Sequence, residues 1–255
     1  MTPAERTSAV AFAEKNCALE ALRPSDRTLQ SAQAYRRGLL GCEALVTGAD
    51  TDIGSAIMTR TIRLIERGWP TNGDLRELIT IHRGLFTGVF ADAGRLRTSD
   101  LGSRTTVEST ENGTPAIGRP SGHPDQASSA FFPASLIETG AMNITTELAE
   151  HRNLSSLDRS VFTHALAKLY DELGYLHPFA EGNALTLRIF ASRLAHDAGW
   201  DLDWATVTRE QYQRAKHEAY RGDIRAFEDL FAAIQRPANP TRIFLIAGWD
   251  QGPAH

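Results

Sequence analysis

The chain has 255 residues, 42% hydrophobic and 23% charged, the composition of an ordinary globular protein long enough to bury a sizeable core. Its net charge of −4 argues against nucleic acid or an anionic membrane as the main partner, and its two cysteines, Cys17 and Cys42, are too few for a disulfide framework or a zinc cluster. Met1 to Leu22 carries Glu5, Arg6, Glu14 and Lys15 and does not read as a secretory signal; nowhere does the run of about 18 apolar residues expected of a membrane span occur. The cytoplasm is the expected compartment.

Residues 3–22 read as a polar, alanine-rich helix with Thr2 or Thr7 as cap, and Ala34 to Val46 as a weaker one. The Arg36-Arg37 pair fits a solvated helix face. From Gly54 the pattern strengthens: Ile57, Ile62 and Ile65 mark a helix stopped by Gly68-Trp69-Pro70. Asn72 or Asp74 then caps a helix whose apolar positions run from Leu75 to Phe90 at helical period, with His82 on the buried face as a hydrogen-bonded core histidine.

Residues 94–130 are rich in Ser, Thr, Gly and Pro and too long for a simple connection. Arg95 to Thr98 and Ala130 to Pro133 read as two short strands, a flap with an insertion between its arms. Helices resume with Leu136, Ile137, Ile144 and Leu148, then with Phe162, Leu166, Leu169, Tyr170 and Leu173 after a cap at Ser155 or Ser156. Beyond a polar loop, Leu187, Phe190, Leu194 and Ala198 keep helical period up to Gly199, and two more helices follow near 208–221 and 223–235. Ile243 to Ala247 is a lone apolar run in the tail. The expected class is all-α with a small β element.

The chemistry concentrates in Leu176-His177-Pro178-Phe179-Ala180-Glu181-Gly182-Asn183-Ala184-Leu185-Thr186-Leu187-Arg188, between two helical patterns. A helix opening at Gly182 presents free backbone N–H groups and a partial positive charge to an anion. Glu181, just before it, would repel phosphate unless Mg²⁺ lay between them. An unperturbed histidine such as His177 titrates near neutrality and is able to take a proton from a hydroxyl. Arg188 is placed to reach phosphate oxygens. Together these groups describe attack on a nucleotide phosphorus; the alternative is a helix-capping turn whose His and Glu only satisfy backbone groups.

The run His177 to Asn183 resembles the signature of the Fic family, His-Pro-Phe-x-Asp/Glu-Gly-Asn-Gly-Arg-x-x-Arg. Ile81 to Phe86, Ala93 to Thr98, Phe131 to Leu148 and Ala198 to Trp204 resemble further family segments in the family's order, over about residues 57–235. The resemblance implies a Fic-type helical core with a β-hairpin flap, as residues 54–236 between an N-terminal helical extension (1–53) and a tail (237–255). It implies transfer of AMP from ATP, with Mg²⁺, to a Ser, Thr or Tyr hydroxyl of a target protein. His177 would be the base, Glu181 the Mg²⁺ ligand and Phe179 the anchor of the loop. Gly182, Asn183 and Ala184 would form the anion hole, Arg188 would engage the γ-phosphate, and a flap of Arg97, Thr98, Phe131 and Phe132 would align the target by strand addition.

The sequence departs from the signature at Ala184 and Leu185, where the family has glycine and arginine, and carries Asp92 where many members have tryptophan. Leu185 and Arg188 share a helical face distinct from that of Leu187, Phe190 and Leu194, so Leu185 is expected toward the nucleotide, where a phosphate-binding cation is lost. A methyl at Ala184 would crowd the anion hole if that position needs positive φ. A degenerate fold acting as a binding module, or another phosphate-containing donor, are the alternatives these changes raise. Many Fic proteins are inhibited by a helix bearing Ser/Thr-x-x-x-Glu-Gly/Asn whose glutamate pairs with the motif's last arginine. Thr206 to Gln211 comes nearest to that pattern and ends wrongly, so a separate antitoxin-like protein, or no such inhibition, is expected. Delivery into another cell as an effector or toxin is the alternative to a cytoplasmic role.

Overall fold

The structure, a computed structural model, describes residues 1–101 and 131–238. Within them the chain forms ten α-helices and one two-stranded sheet. The N-terminal half supplies α1 (Pro3–Leu19), α2 (Asp26–Arg36), α3 (Cys42–Thr47), α4 (Ile53–Arg67) and α5 (Leu75–Phe86). The C-terminal half supplies α6 (Ile137–Glu150), α7 (Arg159–Leu176), α8 (Asn183–Asp197), α9 (Arg209–Tyr220) and α10 (Arg225–Ile234). No helix among the described residues is long and apolar enough to cross a membrane.

The caps explain most of the helix starts. Thr2 accepts from the Glu5 N–H at 3.2 Å while the Glu5 carboxylate takes the Thr2 N–H, closing a capping box on α1. Asp52 caps α4 and Asp74 caps α5 by accepting a single backbone N–H, from Ser55 and Glu77 respectively. Ser25 caps α2, and Gly38, at φ 75°, ends the chain's first helical pair. That glycine turn is why the single weak helix expected over 34–46 is instead two, α2 and α3. The helix expected to reach Phe90 stops at Phe86, ahead of Gly88 at φ 77°. Asp158, and neither Ser155 nor Ser156, sits at the start of α7.

Helix α8 is the axis of the fold, packed by α1, α5 and α7 and by β1 (Trp200–Leu202). Every residue from Leu185 to Ala195 is buried. A helix covered on all sides has no solvent face for its apolar period to point away from. Around it, α1 buries Ala9, Val10, Phe12, Ala13, Cys17 and Leu19 and packs against α4, α8 and α9, so the N-terminal segment is built into the common core.

The small β element lies away from the expected flap. Strand β1 pairs antiparallel with β2 (Gln235–Pro237), with Trp200 opposite Pro237 and Leu202 opposite Gln235. Residues 95–98 and 131–133 are not strands. Their backbone donors are used elsewhere: the Arg97 N–H donates to the Pro178 carbonyl at 2.9 Å and the Phe132 N–H to that of Tyr175 at 3.0 Å. The insertion expected over 102–128 and the apolar run Ile243 to Ala247 lie outside the described residues.

Candidate active site

The loop between α7 and α8 is bracketed by two left-handed residues. His177, the C-cap of α7, has φ 44° and ψ 61°; Gly182, the N-cap of α8, has φ 76° and ψ 6°. A non-glycine residue in that region costs about 1–2 kcal/mol, and Arg97 supplies compensating bonds. Its Nε donates to the His177 carbonyl at 2.7 Å, its guanidinium also reaches the carbonyls of Leu176 (3.3 Å) and Phe132, and its own N–H holds Pro178. At Gly182 only glycine fits, because a Cβ would lie 2.4 Å from the Phe86 ring.

Within the loop, Phe179 is buried and stacks on His82 with ring centroids 3.8 Å apart. His82 accepts the Gly94 N–H on Nδ1 at 2.8 Å, which leaves Nε2 to donate to the Glu181 carbonyl at 3.0 Å. Burial holds its pKa below the usual imidazole value. Position 82 is thus a hydrogen-bonded core histidine, as expected, and one that braces the loop from beneath. The Asn183 side chain accepts the Phe179 N–H at 3.0 Å and donates to the Phe179 carbonyl at 2.8 Å, closing the turn. Past Gly182, the N–H groups that open α8 have no capping side chain among the described residues.

A cavity of about 520 Å³ opens at this point. His177, Phe131, Asn183, Ala184, Leu187 and Glu20 line it, together with the α9 side chains Arg209, Tyr212, Gln213, Lys216 and Tyr220. Phe131 stacks face to face on His177 at 3.8 Å. Burial, with the nearby Arg97 cation, lowers the His177 pKa to about 4, against a hydrogen bond to the Gly174 backbone that raises it. At neutral pH the ring is therefore uncharged and has a lone pair available. Glu181 is exposed at the loop's outer edge, and its carboxylate has no partner among the described residues. No group of three or more metal-ligating side chains gathers among those residues.

Several expected site residues are placed differently. Leu185 is 4% exposed, does not line the cavity, and has its carbonyl bonded by Asn16 on α1. The expectation that it faces the nucleotide is corrected; Leu187 lines the cavity instead. On an all-buried helix the leucine period does not mark the core side. Ala184 lies inside α8 and is not among the positive-φ residues, so its methyl causes no backbone strain there. Arg97 is buried behind His177, Thr98 is exposed, and Phe132 packs edge-on against Tyr175, so these three do not form the expected strand.

Arg188 is the largest departure. It is fully buried and does not face open space: Nη1 donates to Glu20 at 2.8 Å, Nε to Asn16 Oδ1 at 2.6 Å and Nη2 to the Asn16 carbonyl at 3.1 Å. Its guanidinium also lies 4.7 Å above the Tyr212 ring. Burial alone would raise the Glu20 carboxyl, but Arg188, with Lys216 and Arg209, outweighs it and holds the pKa below the usual carboxylate value. The motif's last arginine is therefore paired with the glutamate that ends α1, not with one on the 206–211 segment. The signal was in Asn16-Cys17-Ala18-Leu19-Glu20-Ala21, which keeps the glutamate spacing with Asn for Ser/Thr and Ala for Gly/Asn. The α9 side chains were also missed: Arg209, Gln213, Lys216 and Tyr220 fall on one face at helical spacing.

Residues 72–195 match the Fic/DOC family. Those residues form a domain of that family. Against the protein adenylyltransferase of Bartonella henselae, this Fic protein is 30% identical over 224 residues, 88% of its own length. Against the protein adenylyltransferase VbhT of Bartonella schoenbuchensis it is 33% identical over 163 residues, 64% of its length. It spans only 38% and 28% of those two relatives. The N-terminal Fic domain of a VirB-translocated Bep effector from Bartonella quintana, solved with bound ADP, superimposes with a TM-score of 0.56 at 27% identity. That match covers 70% of this chain and 80% of the solved one.

Proposed function

We propose that this Fic domain transfers AMP from ATP to a Ser, Thr or Tyr hydroxyl of a target protein, and that Glu20 holds it off. The observation that carries the reading is the shared cavity: the neutral imidazole of His177, the opening turn of α8 and Glu20 all line the same space. The names of the Bartonella relatives and the ADP of the B. quintana structure agree with it.

In this reading His177 accepts the proton of the target hydroxyl as its oxygen bonds to the α-phosphorus. The bond from that phosphorus to the α,β-bridging oxygen breaks, and pyrophosphate leaves. The amides of Gly182, Asn183 and Ala184 stabilise the charge on the phosphoryl oxygens. Glu181 would hold Mg²⁺, a cation that takes one or two carboxylates and completes its shell with phosphate oxygens and water. A lone exposed carboxylate beside free amides fits that demand. Mg²⁺ would neutralise phosphate charge. Phe179, His82 and Asn183 keep the loop in shape, and Phe131 covers the base where the target residue enters.

Arg188 contributes to donor binding only when Glu20 releases it. The inhibition is thus intramolecular in this reading, where the sequence pointed to a separate antitoxin-like protein or to none. A cytoplasmic role is proposed first and delivery into another cell as an effector second.

The test uses the wild-type chain, Glu20→Gly, and Glu20→Gly combined with His177→Ala, each with Mg²⁺, ATP and a cell lysate. Mass spectrometry should find AMP-modified hydroxyls with Glu20→Gly, formed at least about tenfold faster than by wild type, as expected when a charged hydrogen-bond competitor is removed. The double variant should make none. A Glu20→Gly protein that neither binds ATP nor modifies any protein would refute the reading, and transfer of UMP or phosphocholine instead would reassign the donor.

A further inference from the structure

The cavity lacks a cation where phosphate would meet the first turn of α8. Leu185 points into the core and Arg188 is held by Glu20 and Asn16. A nucleoside triphosphate carries several negative charges, which backbone amides with a partial positive charge offset only in part. The unspent cations of the cavity are on α9. Arg209 and Lys216, two helical turns apart, share a face with Tyr212, Gln213 and Tyr220, and all five line the same cavity as Asn183 and Ala184.

Lys216 is the better placed of the two. It is half-buried, its Nζ lies 5.5 Å from the centre of the Tyr212 ring, and it makes no ion pair with any described residue. The Arg188 guanidinium lies 4.7 Å from the centre of the same Tyr212 ring, which puts the ammonium one side chain away from the Arg188–Glu20 pair. Arg209 is exposed at the mouth and likewise unpaired among the described residues.

We infer that Lys216, with Arg209 at the mouth, grips the outer phosphates of the donor and is the residue that lets this site work without a cation at position 185. The inference rests on the donor-site reading above. It also gives α9 a part in donor choice: a donor whose charge ends at the α-phosphate gains nothing from Lys216.

Calorimetry on the Glu20→Gly chain separates the two ideas. With Mg²⁺ present, Lys216→Met in that background should weaken ATP binding by about tenfold or more. Adenosine and AMP should bind within about twofold of the parent, and Lys216→Arg should restore most of the ATP affinity. Equal weakening of ATP and adenosine would place Lys216 at the base or ribose and overturn the inference, as would ATP binding indifferent to position 216. In either case the parent still binds ATP and the donor-site reading stands. A folded parent that binds no nucleotide overturns both.

Discussion

Arg193 and Arg188 lie little more than one turn apart on α8, and each is buried against a glutamate from the N-terminal half. Arg193 meets Glu77 with two parallel bonds, Nε to Oε1 at 2.8 Å and Nη2 to Oε2 at 2.5 Å. Glu77 is wholly buried and also accepts from Trp69 Nε1 at 2.9 Å and the Gly73 N–H at 2.8 Å. Arg188 meets Glu20 through a single bond, and the Glu20 side chain is 22% exposed on the cavity. One pair is fully coordinated and remote from the site. The other has a side open to whatever enters. A buried pair with every lone pair satisfied is hard to part, whereas one at a cavity wall exchanges its carboxylate for another anion at modest cost.

The largest effect expected from this contrast is on Glu77→Ala. It strands Arg193 and the donors of Trp69 and Gly73 in the core, and guanidinium unfolding should show a loss of about 3–5 kcal/mol. Next comes Leu185→Arg, which forces a guanidinium into the core beside α1; a loss of at least about 2 kcal/mol with no gain in ATP affinity is expected. A gain in affinity would mean that position 185 faces the phosphates after all. Glu20→Ala should cost only about 1 kcal/mol, because Arg188 keeps Asn16 and the cavity admits water, while transfer activity rises. Equal costs for Glu20→Ala and Glu77→Ala would erase the distinction between the pairs.

The smallest effect is on pH dependence. In the proposed reaction His177 works as a base when neutral, and with its pKa lowered to about 4 the acid limb of the activity of Glu20→Gly should fall near pH 4, flat above about pH 5. Phe131→Ala opens the ring to water and should move that limb up toward the ordinary imidazole value. An NMR titration of the ring checks both; a limb near pH 6.5 in the unmodified background would show that His177 is not desolvated.

The loop was legible in the sequence because its groups are close together: His177, Glu181, Gly182 and Asn183 act through local backbone geometry. The all-helical class was legible from period and caps. The Arg188–Glu20 pair was not, since the two residues lie far apart in the chain and the flanking Asn16 and Ala21 depart from the expected pattern. The orientation of Leu185 was misread because α8 is covered on every side, and an amphipathic argument needs one side to be wet. The segment near 208–221 was legible as a helix, but Arg209 and Lys216 carried no motif to mark them; only the packing of α9 on α7 and α10 brings them to the cavity. The flap strands failed for a related reason, since their donors bond to the last turn of α7 and the loop after it and not to each other.

Arg97 gives the molecule a further property. Its guanidinium ties Phe132 to Leu176 and His177, and the Ala134 N–H donates to the Asp100 carboxylate at 2.6 Å. The two stems that flank residues 102–130 are thereby clamped together at the base of the site. What joins clamped stems is open to exchange: each doubling of a connection's length adds only about 0.6 kcal/mol of closure entropy. Changes in the length of the chain between Asp100 and Phe131 are therefore expected to leave the histidine where it is, because the clamp holds the two ends.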